Sequence, residues 1–140
     1  MFEAIQNTFD LQDVDLANYS PLTLAYIGDC VYEIIVRTCL VYKGNAPVDK
    51  LNKQASQYAK APTQAAMIDA IMDKLTPEEE AAYRRGRNAH SGTKAKNATL
   101  GEYRKATGFE ALIGYLYLKK DFDRITEIVK MAFSHVKGAL

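Results

Sequence analysis

The run between Ser20 and Gly44 limits the possible folds more than any other feature of the chain. Ser20 is placed to cap a helix that has Pro21 in its first turn, and Gly44 is a helix stop signal. A helix is therefore expected from Pro21 to about Lys43. Leu24, Tyr26, Ile27, Val31, Ile34 and Val41 put apolar surface nearly all the way round it, which places such a helix in the middle of a bundle. A second helix of this kind opens at the capping box Thr99…Glu102 and ends near Lys119, with Phe109, Leu112, Ile113, Leu116 and Leu118 along it. The remaining periodic segments are helical too. One runs from about Val48 to Lys60 after Pro47. Another starts at Thr63 and reaches Leu75. A third follows the Thr76-Pro77-Glu78-Glu79 capping box to about Arg87, and the last begins at Asp121 or Asp123 and passes through Phe133. With only 8 Gly and 4 Pro, and no alternating run long enough for a strand, the fold class is all-α.

One domain over residues 1–140 is expected, since a chain of this length buries a sufficient core without staples. Cys30 and Cys39 sit about 13–14 Å apart on one straight helix, too far for a disulfide. Both read as reduced core residues of a cytoplasmic protein. Phe2 to Phe9 is a mixed polar segment, so no signal peptide is expected. Asp29, Glu33, Arg37 and Glu110 interrupt the longest apolar stretches, so no membrane span is expected either.

The two apolar helices each carry acid. Asp29, Glu33 and Arg37 form a polar stripe at four-residue spacing on the first, and Glu110 is the central charge of the second. Removing a carboxylate from water costs several kcal/mol unless something compensates. Glu33 and Arg37 are placed to compensate each other as an i,i+4 ion pair. Asp29 follows Gly28, and Glu110 lies between Gly108 and Gly114, small residues that let two helices approach. Two facing carboxylates repel unless a proton or a cation lies between them. Either a Mg2+ site or a buried, satisfied polar pair answers this pattern, since Mg2+ takes one or two protein carboxylates and keeps several waters.

Charge is strongly uneven. From Arg84 to Lys105 there are seven basic residues (Arg84, Arg85, Arg87, Lys94, Lys96, Arg104, Lys105) against the single acid Glu102, while the whole chain is only +1. That asymmetry suits a phosphate-binding surface. Asn88 and the Ser, Thr and Asn residues of the expected loop 88–98 add donors for phosphate and ribose. Aromatic residues are scarce there, which favours shape and phosphate recognition of a duplex over stacking on single strands. His90 and His135 read as ordinary surface residues and form no zinc pattern.

LAYIGDCVYE (Leu24–Glu33) resembles the signature of the ribonuclease III family, and FEALIGYLYL (Phe109–Leu118) resembles that family's second acidic motif. RGRNAHSGTKAKNAT followed by EYRKATGFEALIGYLYL resembles the Mini-III branch, which has the catalytic domain without a separate double-stranded RNA-binding domain. The resemblance covers roughly Pro21 to Lys120. It implies an all-helical homodimer with the ribonuclease III catalytic fold. It also implies cleavage of double-stranded RNA to 5′-phosphate and 3′-hydroxyl ends, and a role in maturing 23S ribosomal RNA from its precursor. Asp29 takes the place of the signature aspartate and Glu110 that of the essential glutamate. Mg2+ is the implied cofactor, with Mn2+ able to substitute. Two acids usual in the family are replaced here, by Ala25 and by Thr107. Dimerisation also fits the many Tyr and Leu residues of the two motif helices, which exceed what one small bundle buries.

The expected chemistry is metal-assisted phosphodiester hydrolysis at Asp29 and Glu110, with Arg84, Arg85, Arg87, Asn88, Lys94 and Lys96 gripping the RNA. A catalytically silent RNA-binding or ribosome-associated scaffold of the same fold is the alternative, and Ala25 and Thr107 support it. A helical nucleotide pyrophosphohydrolase is disfavoured. The one glutamate run, Glu78-Glu79-Glu80, sits at a helix start, where acids favour the dipole.

Overall fold

The computed structural model describes residues 1–89, 98–136 and 140. Seven α-helices are present among them: α1 (Phe2–Thr8), α2 (Pro21–Tyr42), α3 (Val48–Ala59), α4 (Ala61–Ile71), α5 (Pro77–Asn88), α6 (Leu100–Leu118) and α7 (Phe122–Phe133). Short 3-10 turns cover Leu16–Asn18 and Met72–Lys74, and no strand occurs among the described residues.

Local chemistry sets most helix starts. The Ser20 hydroxyl accepts from the Leu22 N–H at 3.2 Å, with Pro21 in the first turn of α2. Thr76 with Glu79, and Thr99 with Glu102, both close as complete capping boxes. α4 starts at Ala61, earlier than the sequence pattern predicts. Pro62 is tolerated in a first turn, and Lys60 alone forms the extended corner between α3 and α4. The end of that segment tightens into the 3-10 turn at Met72–Lys74. The sequence pattern gives no signal for α1. It has no side-chain cap, and its Phe2 ring packs on Tyr117 and Phe122 at centroid distances of 4.8 and 5.4 Å.

The middle of the bundle is α6, with α2, α4, α5 and α7 packed around it. Phe109, Ala111, Leu112 and Ile113 are completely buried, together with Tyr32, Ile68 and Ile128 from the surrounding helices. The expectation that α2 also lies in the middle is corrected. Its inner face carries Leu24, Tyr32, Val36 and Leu40, but Tyr26, Ile34 and Val41 are 79%, 49% and 58% exposed on the outer face. The reading of both cysteines as core residues is corrected with it. Cys30 lies on the outer face and is exposed, while Cys39 is half-buried, and both thiols are free.

Candidate active site

The site forms where α2 crosses α6. A Cβ placed on Gly28 would overlap the Glu110 carbonyl oxygen, and one placed on Gly114 would overlap the Leu24 carbonyl oxygen. Only hydrogen at these two positions allows the backbones to touch. That contact sets Asp29, the residue after Gly28, beside Glu110.

Asp29 is exposed at the rim of the crossing, whereas Glu110 is half-buried. The burial argument made from sequence therefore applies to Glu110 and not to Asp29. Burial pushes the Glu110 carboxyl up to about 9, and a side-chain hydrogen bond with Asp29 and the charges of Asp29 and Glu33 push the same way. Two carboxyls set this close relieve their repulsion when one keeps its proton, since neither anion has a hydrogen to donate. A divalent cation in place of that proton removes the same repulsion, and the all-oxygen donor set suits Mg2+. Among the described residues, no group of three or more His, Cys, Asp and Glu could hold a metal ion. The donors on offer are thus two carboxylates, leaving the rest of the shell to other oxygens.

Glu33 and Arg37 pair as expected, with Arg37 Nε donating to Glu33 Oε1 at 3.0 Å. The influence of Glu33 on Glu110 was not foreseen. Ala25 and Thr107, one turn before Asp29 and three residues before Glu110, are both buried. Ala25 packs with Leu24 and Ala111, and the Thr107 hydroxyl donates to the Tyr103 carbonyl at 3.0 Å.

The expected basic grip is partly described. Arg84 pairs with Glu80 on its own helix, and Arg85 Nη2 donates to the Tyr19 carbonyl at 3.2 Å. Arg87 lies 5.8 Å from the centre of the Tyr83 ring, and its Nε donates to Asn88 Oδ1 at 3.3 Å. Among the described residues, each of these three arginines meets a different neighbour: Glu80, Tyr19 and Tyr83. Lys94, Lys96 and His90 lie outside the described residues.

Residues 22–121 match the family model described as the ribonuclease III domain. The chain belongs to the ribonuclease III family. It is 47% identical over 121 residues to Mini-ribonuclease 3 of Clostridium tetani, a match covering 86% of this chain and 80% of that protein. It is 43% identical over 132 residues to Mini-ribonuclease 3 of Thermoanaerobacter sp., covering 94% and 93%, and 47% identical over 127 residues to that of Brevibacillus brevis, covering 91% and 93%. A crystal structure of a Fusobacterium nucleatum protein superposes with a TM-score of 0.78 at 29% identity, covering 88% of this chain and 98% of that one. Within the ribonuclease III family the chain thus groups with the Mini-ribonuclease 3 proteins, and it is an endoribonuclease. No helix among the described residues is long and apolar enough to cross a membrane.

Proposed function

We propose that the protein is a single catalytic domain that cuts double-stranded RNA with Mg2+ held by Asp29 and Glu110, acting as a homodimer in the maturation of 23S ribosomal RNA from its precursor. The observation that carries this reading is the Asp29–Glu110 contact at the α2–α6 crossing, in a chain of this family. A folded protein does not gain by pressing two carboxyls together, so the arrangement supports a cation site.

Bound Mg2+ supplies a Lewis acid that activates water and neutralises charge on the scissile phosphate. Asp29, at the rim, takes the side open to solvent and substrate. Glu110, fixed by the buried helix beneath it, sets the position from below. Mn2+ has the same donor preference for carboxylate and water and serves in its place. Arg84, Arg87, Asn88, Lys94 and Lys96 grip the RNA backbone, and Arg85 braces the α5 end against Tyr19. Attraction to phosphate without base stacking favours a duplex read by shape.

The exposed apolar stripe of Tyr26, Cys30, Ile34 and Val41 beside Asp29 supports the homodimer. Two copies meeting there would set two cutting sites near one interface, one for each strand. The reduced cysteines support a cytoplasmic location.

The reading is tested by incubating a long duplex RNA and its matched single strand with the protein, in Mg2+ and in chelator. Cutting of the duplex alone, only with Mg2+, and to 5′-phosphate ends is the expected result. Salt-sensitive duplex binding without cutting in any metal would favour a silent scaffold instead.

A further inference from the structure

The two-carboxylate site is sparse for a doubly charged cation, and the two nearest positions that would extend it directly are closed. Ala25 is one turn before Asp29 on α2, and Thr107 is three residues before Glu110 on α6. Both are neutral and buried, and the Thr107 hydroxyl is spent on its own helix. The only other acid on α2 is Glu33, four residues after Asp29. It stands one turn along the same side, about 6 Å further on the axis. Its side chain is 30% exposed, so it is partly withdrawn from solvent beside its pairing with Arg37.

We propose that Glu33 is a third carboxylate of the site: it stays outside direct coordination, accepts hydrogen bonds from the water shell of the cation, and exchanges its contact with Arg37 for that one when the cation is present. The inference rests on the metal-site reading of Asp29 and Glu110. Several features support it. No described group of three ligating side chains exists, so Glu33 is not a direct ligand, and a cation held by two carboxylates keeps waters that need acceptors. Only one Glu33 oxygen, Oε1, is taken by Arg37. The pair is exposed enough for exchange, since the Arg37 side chain is 60% exposed and such surface pairs are weak. Carboxylates that orient a metal's surroundings typically change its affinity by about 10- to 100-fold.

A purely structural role for Glu33, as the partner of Arg37, makes a different prediction, because losing either member of the pair would then have the same effect. The test is titration of the protein with Mn2+ alone by calorimetry, on the native chain and on E33Q, R37M and D29N, with thermal unfolding of each in chelator. Removing Glu33 should weaken Mn2+ binding about tenfold. Removing Arg37 frees Glu33 and removes a positive charge, so R37M should bind Mn2+ at least as tightly as the native chain. The Mg2+ concentration for half-maximal cutting should rise in E33Q by the same factor as the Mn2+ dissociation constant. Native affinity in E33Q would overturn the proposal, and so would equal weakening in E33Q and R37M accompanied by equal loss of melting temperature. D29N separates the two levels. Loss of binding in D29N with native affinity in E33Q removes Glu33 alone, whereas native binding in D29N removes the metal site beneath it.

Discussion

Glu110 keeps a proton at neutral pH that an ordinary glutamate has lost, because folding places it in the bundle against Asp29. The unfolded chain releases that proton in the ordinary glutamate range, the folded chain at about 9. Between those values the native state binds the extra proton. Stability of the metal-free protein is therefore greatest below the unfolded value and falls as pH rises through the folded one. Glu110→Gln should flatten this slope and raise the melting temperature in chelator at alkaline pH, as followed by thermal unfolding across roughly pH 5 to 9. A slope unchanged by the substitution would assign it to another group. Glu110 was legible in sequence because a lone acid in an otherwise apolar helix has few bland explanations. The burial argued for Asp29 from the sequence does not hold in the fold. Gly28 faces α6, and the next residue is turned by about 100° toward the rim, so Asp29 is exposed rather than desolvated. Cys30 continues that turn onto the outer face, which is why its apolar neighbours misplaced it in the core.

At the scale of helices, the α2–α6 crossing depends on two hydrogens. A methyl group on Gly114 would meet the Leu24 backbone, which cannot rotate away as a side chain can. Gly114→Ala should destabilise the protein by about 3 kcal/mol and lower cutting further than the stability loss explains, since it separates Asp29 from Glu110. Denaturant titration and a cleavage assay below the transition would show this. A second joint ties α5 to α7. Arg124 donates from Nε and Nη2 to both Glu79 oxygens at 2.8 and 2.9 Å, and also to the Lys74 carbonyl at 2.9 Å. Glu79 is 6% and Arg124 18% exposed in their side chains, and the Arg124 hydrogen bond holds the Glu79 carboxyl below its usual range. Arg124→Met should cost about 3 kcal/mol by leaving Glu79 buried and unpaired, measured by the same titration. The sequence showed Glu79 only as a helix-start acid. A partner 45 residues away leaves no local trace. Helices with caps and apolar periodicity were legible to within a few residues, whereas α1 was not, because its order comes from Phe2 packing on Tyr117 and Phe122.

For the whole molecule, the exposed Tyr26, Ile34 and Val41 are the feature least suited to a lone chain. The sequence showed an excess of apolar surface on α2, and the fold shows which side of it stays uncovered. If that side joins two copies, Tyr26→Glu with Ile34→Glu should give a folded monomer by sedimentation equilibrium, with cutting of duplex RNA sharply reduced. A native chain that sediments as a monomer would remove the homodimer. The proposed duplex grip is visible in the sequence only as charge, and among the described residues Arg84, Arg85 and Arg87 each meet a different neighbour. The central claim is that Asp29 and Glu110 perform metal-dependent cutting of duplex RNA. The most direct test is single-turnover cleavage of a pre-bound RNA duplex in Mg2+ by the native protein and by Glu110→Gln. The account predicts retained duplex binding and a cutting rate at least ~1,000-fold lower in the variant, about 4 kcal/mol of lost transition-state stabilisation. A variant that cuts at the native rate would contradict it.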